Sequence, residues 1–120
     1  MNLITKVYGI LVNDKDEILL KRDDLSLPGG DIEVGIDLVQ SVRNVVKKET
    51  NIEMIDIILF DELSKIEDNH ILGIFYIGTF KREDREKYRQ EYGWYKLRKL
   101  DLDNVDYFTK YIVDQIIGEN

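Results

Sequence analysis

The change from strand-like to helical periodicity at a Pro-Gly-Gly break constrains the fold of this chain more than any other feature. Residues 6–12 and 17–22 carry apolar runs separated by a turn-prone Asn-Asp-Lys-Asp segment, which favours a β-hairpin. Pro28-Gly29-Gly30 then interrupts the pattern. Between residues 37 and 50 the side chains recur at helical spacing, with Leu38, Val42, Val45 and Glu49 in one row. The sequence therefore predicts two strands, a tight loop and an amphipathic helix.

Both ends of this helix carry recognisable signals. Asp37, followed three residues later by Gln40, is a plausible capping box in which an aspartate replaces the usual Ser or Thr. Asn51 follows the last turn, at the point where a left-handed residue often ends a helix. We therefore expect the helix to begin after Asp37 and to end before Asn51.

The second half of the chain predicts more sheet and a final helix. Residues 55–63 and 71–80 are rich in Ile, Phe and Tyr and flank a turn-prone segment, and residues 94–97 are a further short strand. Val105, Phe108, Ile112 and Ile116 have the spacing of an amphipathic helix that covers the sheet. The order β-β-α-β-β-β-α predicts an α+β fold, an α/β/α sandwich, in one domain over residues 1–120.

Composition excludes several classes of function. The chain has 120 residues, a net charge of −7 and no cysteine, so disulfides and thiolate chemistry are excluded. An acidic chain is a poor partner for nucleic acid, which requires clustered positive charge. No apolar stretch approaches the roughly 18 residues of a membrane span. We therefore expect a cytoplasmic protein that contacts neither nucleic acid nor membrane.

The segment around the break resembles the Nudix box of the Nudix (MutT-like) hydrolases. It reads LPGGDIEVG at positions 27–35 and KETNI at positions 48–52, on either side of the predicted helix. The resemblance extends to the strand before the box, to Trp94 followed by Leu97 and Leu100, and to the C-terminal helix, so it covers nearly the whole chain. It implies a central mixed sheet carrying the box helix and a C-terminal helix, and hydrolysis of nucleoside diphosphates linked to another group.

The resemblance also implies a divalent metal site, and this sequence departs from the family pattern there. The pattern is a Gly, five residues, a Glu, seven residues, then Arg-Glu-apolar-x-Glu-Glu-x-Gly-apolar. Laid on the chain without gaps from Gly30, it places Ile36, Asn44, Val45 and Lys48 where the family has Glu, Arg, Glu and Glu, and retains only Glu49. Mg²⁺ and Mn²⁺ prefer hard oxygen ligands, so a hydrocarbon and an ammonium should weaken metal binding severely.

The resemblance nominates the following site residues. Glu49 is the candidate catalytic carboxylate, and Glu49, Glu33 and the carbonyl of Gly29 are the candidate metal ligands. The candidate substrate-binding residues are Lys21, Arg22, Gly29, Gly30 and Lys48. Each has a structural alternative: the acids can bond local amides, the glycines can shape the loop, and the cations can be solvated. Tyr92, Trp94 and Tyr95 are expected in the core or at the rim of the sheet rather than against a nucleobase.

Three functions remain open at this point. The favoured one is a catalytically impaired Nudix-fold protein that binds a nucleotide or a nucleoside diphosphate derivative and requires no metal. The second is a working hydrolase in which Glu49 holds Mg²⁺ or Mn²⁺ with Asp31, Glu33 or Glu91 as unusual ligands. The third is a homodimer or interaction module with a vestigial cleft.

Overall fold

A four-stranded mixed sheet forms the centre of the molecule in the computed structural model, which describes residues 2–118. The predicted domain, residues 1–120, also contains Met1, Glu119 and Asn120, which lie outside the described residues. The elements are β1 (Leu3–Ile10), β2 (Glu17–Lys21), β3 (Gly29–Asp31), α1 (Leu38–Thr50), β4 (Ile55–Ile66), β5 (His70–Thr79), β6 (Tyr92–Lys96) and α2 (Tyr107–Gly118). The strand order is β3-β1-β5-β4, with β1 parallel to β5 and the other pairs antiparallel.

Strands β2 and β6 form a separate two-stranded antiparallel sheet. The predicted hairpin between the first two apolar runs is therefore only partly correct. The chain does reverse after β1, and a single bridge joins Val12 to Ile18. Beyond this bridge, however, β2 pairs along its whole length with β6, a partner that is distant in sequence. Strand β3 was not predicted, because it is short and two of its three residues are glycines.

Helix α1 begins and ends where its sequence signals predict. The Asp37 carboxylate accepts a hydrogen bond of 2.8 Å from the Gln40 backbone N–H, and Asn51 ends the helix in the left-handed conformation with φ 70°. The reciprocal half of the capping box is absent, because the Gln40 side chain contacts Arg43 and Asn44 instead. The helix therefore begins and ends at defined residues, and this fixes which side chains its last turn carries.

The two helices cover opposite faces of the sheet. Val42 and Val46 of α1 are fully buried in one apolar cluster with Val7 of β1, whereas Phe108 and Ile112 of α2 lie in the other. This arrangement confirms the predicted α+β sandwich. None of the helices within residues 2–118 is long and apolar enough to cross a membrane.

Close packing fixes the position of α1 on β1. Gly9 lies under the helix, and a Cβ atom added there would overlap the Val46 side chain and lie 2.8 Å from the Met54 sulfur. Only glycine therefore allows this distance between helix and strand. The segment after β5 contains a short 3-10 turn, Arg82–Asp84, and then an irregular stretch that leads across the end of α1 into β6.

Candidate active-site cleft

The carboxyl-terminal half of α1 faces the Gly-Gly strand across an open cleft of about 330 Å³. Val45, Lys48 and Glu49 line it from the helix, because residues three and four positions apart share one helix face. Gly29 and Gly30 of β3 line the opposite side. With Glu33, which also lines the cleft, the structure brings together five of the residues that the sequence nominates: Gly29, Gly30, Glu33, Lys48 and Glu49.

Glu49 is the least exposed of the three carboxylates that line this cleft. It is half-buried, and its Oε1 accepts a hydrogen bond of 3.5 Å from the hydroxyl of Tyr92, which is only 3% exposed. Burial, and then the negative charge of Glu49, raise the pKa of Tyr92 well above its usual value. Tyr92 therefore stays protonated at physiological pH and remains a donor to Glu49.

Val45 contributes a hydrocarbon side chain to the part of the cleft beside β3. Its Cγ1 atom would lie 3.3 Å from a Cβ atom built on Gly30, so the valine directly faces the backbone of the glycine strand. The same side chain packs against the α1 core cluster. This position therefore offers neither an oxygen ligand nor room for one without the loss of core contacts.

Asn44 joins the loop after β3 to the helix. Its Nδ2 donates a hydrogen bond of 3.2 Å to Glu33 Oε1, while its Oδ1 accepts one of 2.8 Å from Gln40 Nε2. The backbone N–H of Glu33 also donates to the Ser41 hydroxyl at 3.3 Å. Glu33 lines the cleft, but its carboxylate is already engaged in fixing the loop.

A second compartment of about 190 Å³ carries most of the positive charge of the cleft. Lys21 at the end of β2, Lys48 in the last turn of α1 and Arg89 from the loop before β6 line it together with Glu49, Glu91 and Tyr92. We call this the cation compartment. Arg89 Nε donates to the Lys48 carbonyl at 3.0 Å, which fixes the arginine against the end of the helix.

A third compartment, also of about 190 Å³, lies beside the rings of Tyr8 and Tyr92. Lys6, Lys21, Asp24, Glu49 and Asp106 give it a mixed but mainly negative lining. Burial, with smaller contributions from nearby carboxylates, raises the pKa of Tyr8 to about 12. We call this the tyrosine compartment, and it shares Lys21, Glu49 and Tyr92 with the cation compartment.

Comparison of the chain with known proteins identifies its architecture. The chain matches no protein-family profile and none of the curated proteins by sequence. Solved structures do match it over almost its full length. A MutT Nudix hydrolase from Burkholderia pseudomallei superposes with a TM-score of 0.78 at 19% identity, covering 97% of this chain and 99% of that one. A MutT protein from Methanosarcina mazei gives 0.72 at 23% identity, over 99% and 96%.

The chain has the Nudix fold. A MutT structure from work on Aliivibrio salmonicida and Vibrio cholerae, 26% identical, superposes with a TM-score of 0.73 over 96% of each chain. Three observations agree with the ungapped placement of the Nudix pattern. Val46 and Ile52, at its two apolar positions, are fully buried, and Asn51, at its late glycine, has the positive φ that favours glycine.

The side chains at this Nudix site do not fit a divalent metal ion. Such an ion requires several oxygen ligands, and the helix supplies one carboxylate, Glu49, beside the hydrocarbon of Val45 and the ammonium of Lys48. Among residues 2–118, no three Asp, Glu, His or Cys side chains are grouped so that they could hold a metal. Of the predicted ligand set, Glu33 Oε1 accepts a hydrogen bond of 3.2 Å from Asn44 Nδ2, and Gly29 belongs to β3, the edge strand of the sheet.

The residues that line the Nudix cleft differ in part from those that the sequence nominates. Arg22 does not line any of the three compartments: its Nε donates to the Gln90 carbonyl at 2.9 Å, and its guanidinium lies over Gly93. Arg89, which was not nominated, takes a place in the cleft instead. Tyr92 is in the core as expected, yet its hydroxyl reaches the cleft, while Trp94 stacks on Phe80 with ring centroids 5.5 Å apart.

Proposed function

We propose that this Nudix-fold chain binds a nucleotide or a nucleoside diphosphate derivative in the cleft and does not hydrolyse it at an appreciable rate. The observation that carries the proposal is the pair Val45 and Lys48 on the face of α1 that lines the cleft. In the Nudix pattern both positions are glutamates, and the metal that they help to hold neutralises phosphate charge and activates water. Without that ligand set the chain retains a shaped cleft but not the means of hydrolysis.

The charge of Lys48 and the missing carboxylates together disfavour metal binding strongly. An ammonium about 6 Å from a dication, at an effective dielectric constant of about 20, opposes binding by about 5 kcal/mol. This is an upper limit, because Lys48 is exposed and can turn toward water. Even a third of it, added to the loss of two carboxylate ligands, lowers the affinity for metal by several orders of magnitude.

The arrangement of Asn44 supports retention of the scaffold without the chemistry. The Nudix pattern has a Glu and an Arg at positions 36 and 44, and removal of one partner of such a pair would strand the other charge. Here both are replaced: Ile36 is 38% exposed, and the uncharged side chain of Asn44 fixes the loop through its hydrogen bond to the Glu33 carboxylate. The loop and helix are therefore still held together, by a hydrogen bond that requires no metal.

A nucleotide panel tests the absence of hydrolysis. We expect no release of phosphate-containing products from ADP-ribose or nucleoside triphosphates with Mg²⁺ or Mn²⁺, beyond the rate of a blank. A thermal-shift titration with the same compounds should nonetheless raise the melting temperature, because a ligand that binds only the folded state stabilises it. The Glu49→Gln variant serves as the control for adventitious activity.

The competing function is hydrolysis through an unusual set of acids. Glu91 lines the cation compartment with Glu49, and Asp31 and Glu33 line the part of the cleft beside β3 with Glu49, so these four carboxylates are the acids that would contribute to it. Metal-dependent turnover that collapses in Glu49→Gln would establish this function and refute ours. If no compound in the panel changes the melting temperature, ligand binding in the cleft is refuted as well.

A further inference from the structure

We propose that the cation compartment holds a phosphate group of the ligand directly, through Lys21, Lys48 and Arg89, and without a divalent metal. This inference rests on the proposed function, since it requires that the cleft binds a phosphorylated compound. Beyond that function, we specify where in the cleft the phosphate lies and which side chains bind it. We also specify that the binding requires no metal.

The three compartments differ in the balance of charged side chains that line them. The cation compartment has three cationic side chains against two carboxylates, Glu49 and Glu91. Beside β3 the lining has Lys48 against Asp31, Glu33 and Glu49, and in the tyrosine compartment two lysines face three carboxylates. In a chain of net charge −7, the cation compartment is thus the one of these three with a positive balance, and a cleft concentrates that field.

The three cations also form no ion pair with a carboxylate of the described residues. None of the ion pairs found among residues 2–118 includes Lys21, Lys48 or Arg89. Arg89 uses its Nε to bond the Lys48 carbonyl and its backbone N–H to bond the Thr50 carbonyl at 3.0 Å. Its terminal amino groups therefore keep their fork of donors for a phosphate.

The three cations come from three separate segments of the chain. Lys21 is the last residue of β2, where its strand pairs with Tyr92 of β6, and Lys48 lies on the capped helix α1. Arg89 also offsets the partial negative charge at the carboxyl end of α1, which would otherwise repel an anion. The three cations thus place positive charge beside Glu49, next to the positions where the Nudix pattern implies a metal.

The neighbouring compartment suggests the orientation of the ligand. Phosphate is disfavoured beside Asp24 and Asp106, whereas sugar hydroxyls and base amino groups can donate to these carboxylates. The rings of Tyr8 and Tyr92 lie on the same side. The nucleoside end therefore belongs in the tyrosine compartment and the phosphate end in the cation compartment.

Calorimetric titration with ADP, inorganic diphosphate and adenosine tests the inference. In EDTA, ADP and diphosphate should bind and adenosine should bind more weakly, and added Mg²⁺ should not raise the affinity for ADP. Lys21→Ala, Lys48→Ala and Arg89→Ala should each weaken ADP roughly tenfold to a hundredfold, the usual range for a lost charged hydrogen bond. The matched control is Lys47→Ala, which removes the same charge one residue away. Lys47 is exposed, donates to the Asn51 carbonyl and lies outside the compartment.

The outcomes separate this inference from the proposed function. ADP binding that appears only with Mg²⁺ would overturn the inference and leave nucleotide binding intact. Binding in EDTA that responds equally to Lys47→Ala and Lys48→Ala would also overturn it, because the effect would then reflect net charge alone. If ADP binds neither with nor without Mg²⁺, the proposed function fails together with the inference.

Discussion

Replacement of Val45 and Lys48 by glutamate should create a magnesium site in the cleft. Together with Glu49, the two new carboxylates would occupy positions i, i+3 and i+4 of α1, which share the helix face that lines the cleft. This Val45→Glu/Lys48→Glu variant restores the ligand pattern that the Nudix fold implies. The helix ends are fixed by Asp37 and Asn51, so the new side chains should project where Val45 and Lys48 do now.

Without metal the double variant should be less stable than the wild type. Two carboxylates about 6 Å apart repel by about 0.7 kcal/mol at the dielectric constant of water, and measured like-charge helix pairs cost about half of that. Val45 also packs against the core cluster, and loss of that contact costs about 1 kcal/mol more. We therefore expect the free energy of unfolding to fall by about 2 kcal/mol.

Magnesium should reverse this loss in the double variant alone. At a metal concentration of about 100 times Kd, binding adds about 2.7 kcal/mol, and about 4 °C of melting temperature follows each kcal/mol in a domain of this size. Differential scanning fluorimetry across a MgCl₂ series should therefore show a rise of about 10 °C. The matched control is Val39→Glu/Lys47→Glu, which makes the same chemical changes at two exposed positions of α1.

The control should show no shift beyond that of the wild type at equal ionic strength. If the double variant responds to Mg²⁺ no more than this control, then the three positions do not converge on one ion. In that case either the placement of the Nudix pattern on this chain or the geometry of the cleft is wrong.

Three further predictions concern the scaffold. Asn44→Ala removes the bonds to Glu33 and Gln40 and should lower stability by about 1 kcal/mol in urea unfolding, with no change if the loop is not held by this residue. Gly9→Ala forces α1 away from β1 and should cost about 1–3 kcal/mol, whereas Gly118→Ala, whose Cβ meets no atom within 4 Å, should be nearly neutral. The pKa of Tyr8 is raised to about 12 in the fold, so the unfolded state loses this proton first. Stability should therefore fall as pH rises from about 10 to 12, and less steeply in Tyr8→Phe.

Local signals in the sequence predicted both helices, every strand except β3, and one side of the cleft. The caps at Asp37 and Asn51 and the spacing of Val45, Lys48 and Glu49 depend only on neighbours within one helix, so sequence alone was sufficient. The predicted fold class, α+β, is also confirmed, and it too follows from local patterns. Periodicity predicts which face of an element is buried, and the two helices bury their apolar faces on opposite sides of the sheet.

Long-range pairing is where the sequence was insufficient. Strand β3 exists because Gly29 and Gly30 pair with Tyr8 and Val7 of β1, and glycine carries no local preference for strand. Arg89 reaches the cleft because its loop crosses the end of α1, a contact between residues 41 positions apart. Arg22 and Lys21 are adjacent in sequence, yet successive strand side chains point to opposite faces, so only Lys21 lines the cleft.

Titration of the wild-type chain with Mn²⁺, followed by electron paramagnetic resonance, tests the central claim most directly. The free ion gives a sharp signal that disappears on binding, so the bound fraction is counted without any assumption about substrate. We predict no stoichiometric site on the wild-type chain at submillimolar Mn²⁺ in the absence of nucleotide, and the same result for Glu49→Gln. One tightly bound Mn²⁺ per chain that is lost in Glu49→Gln would contradict the account.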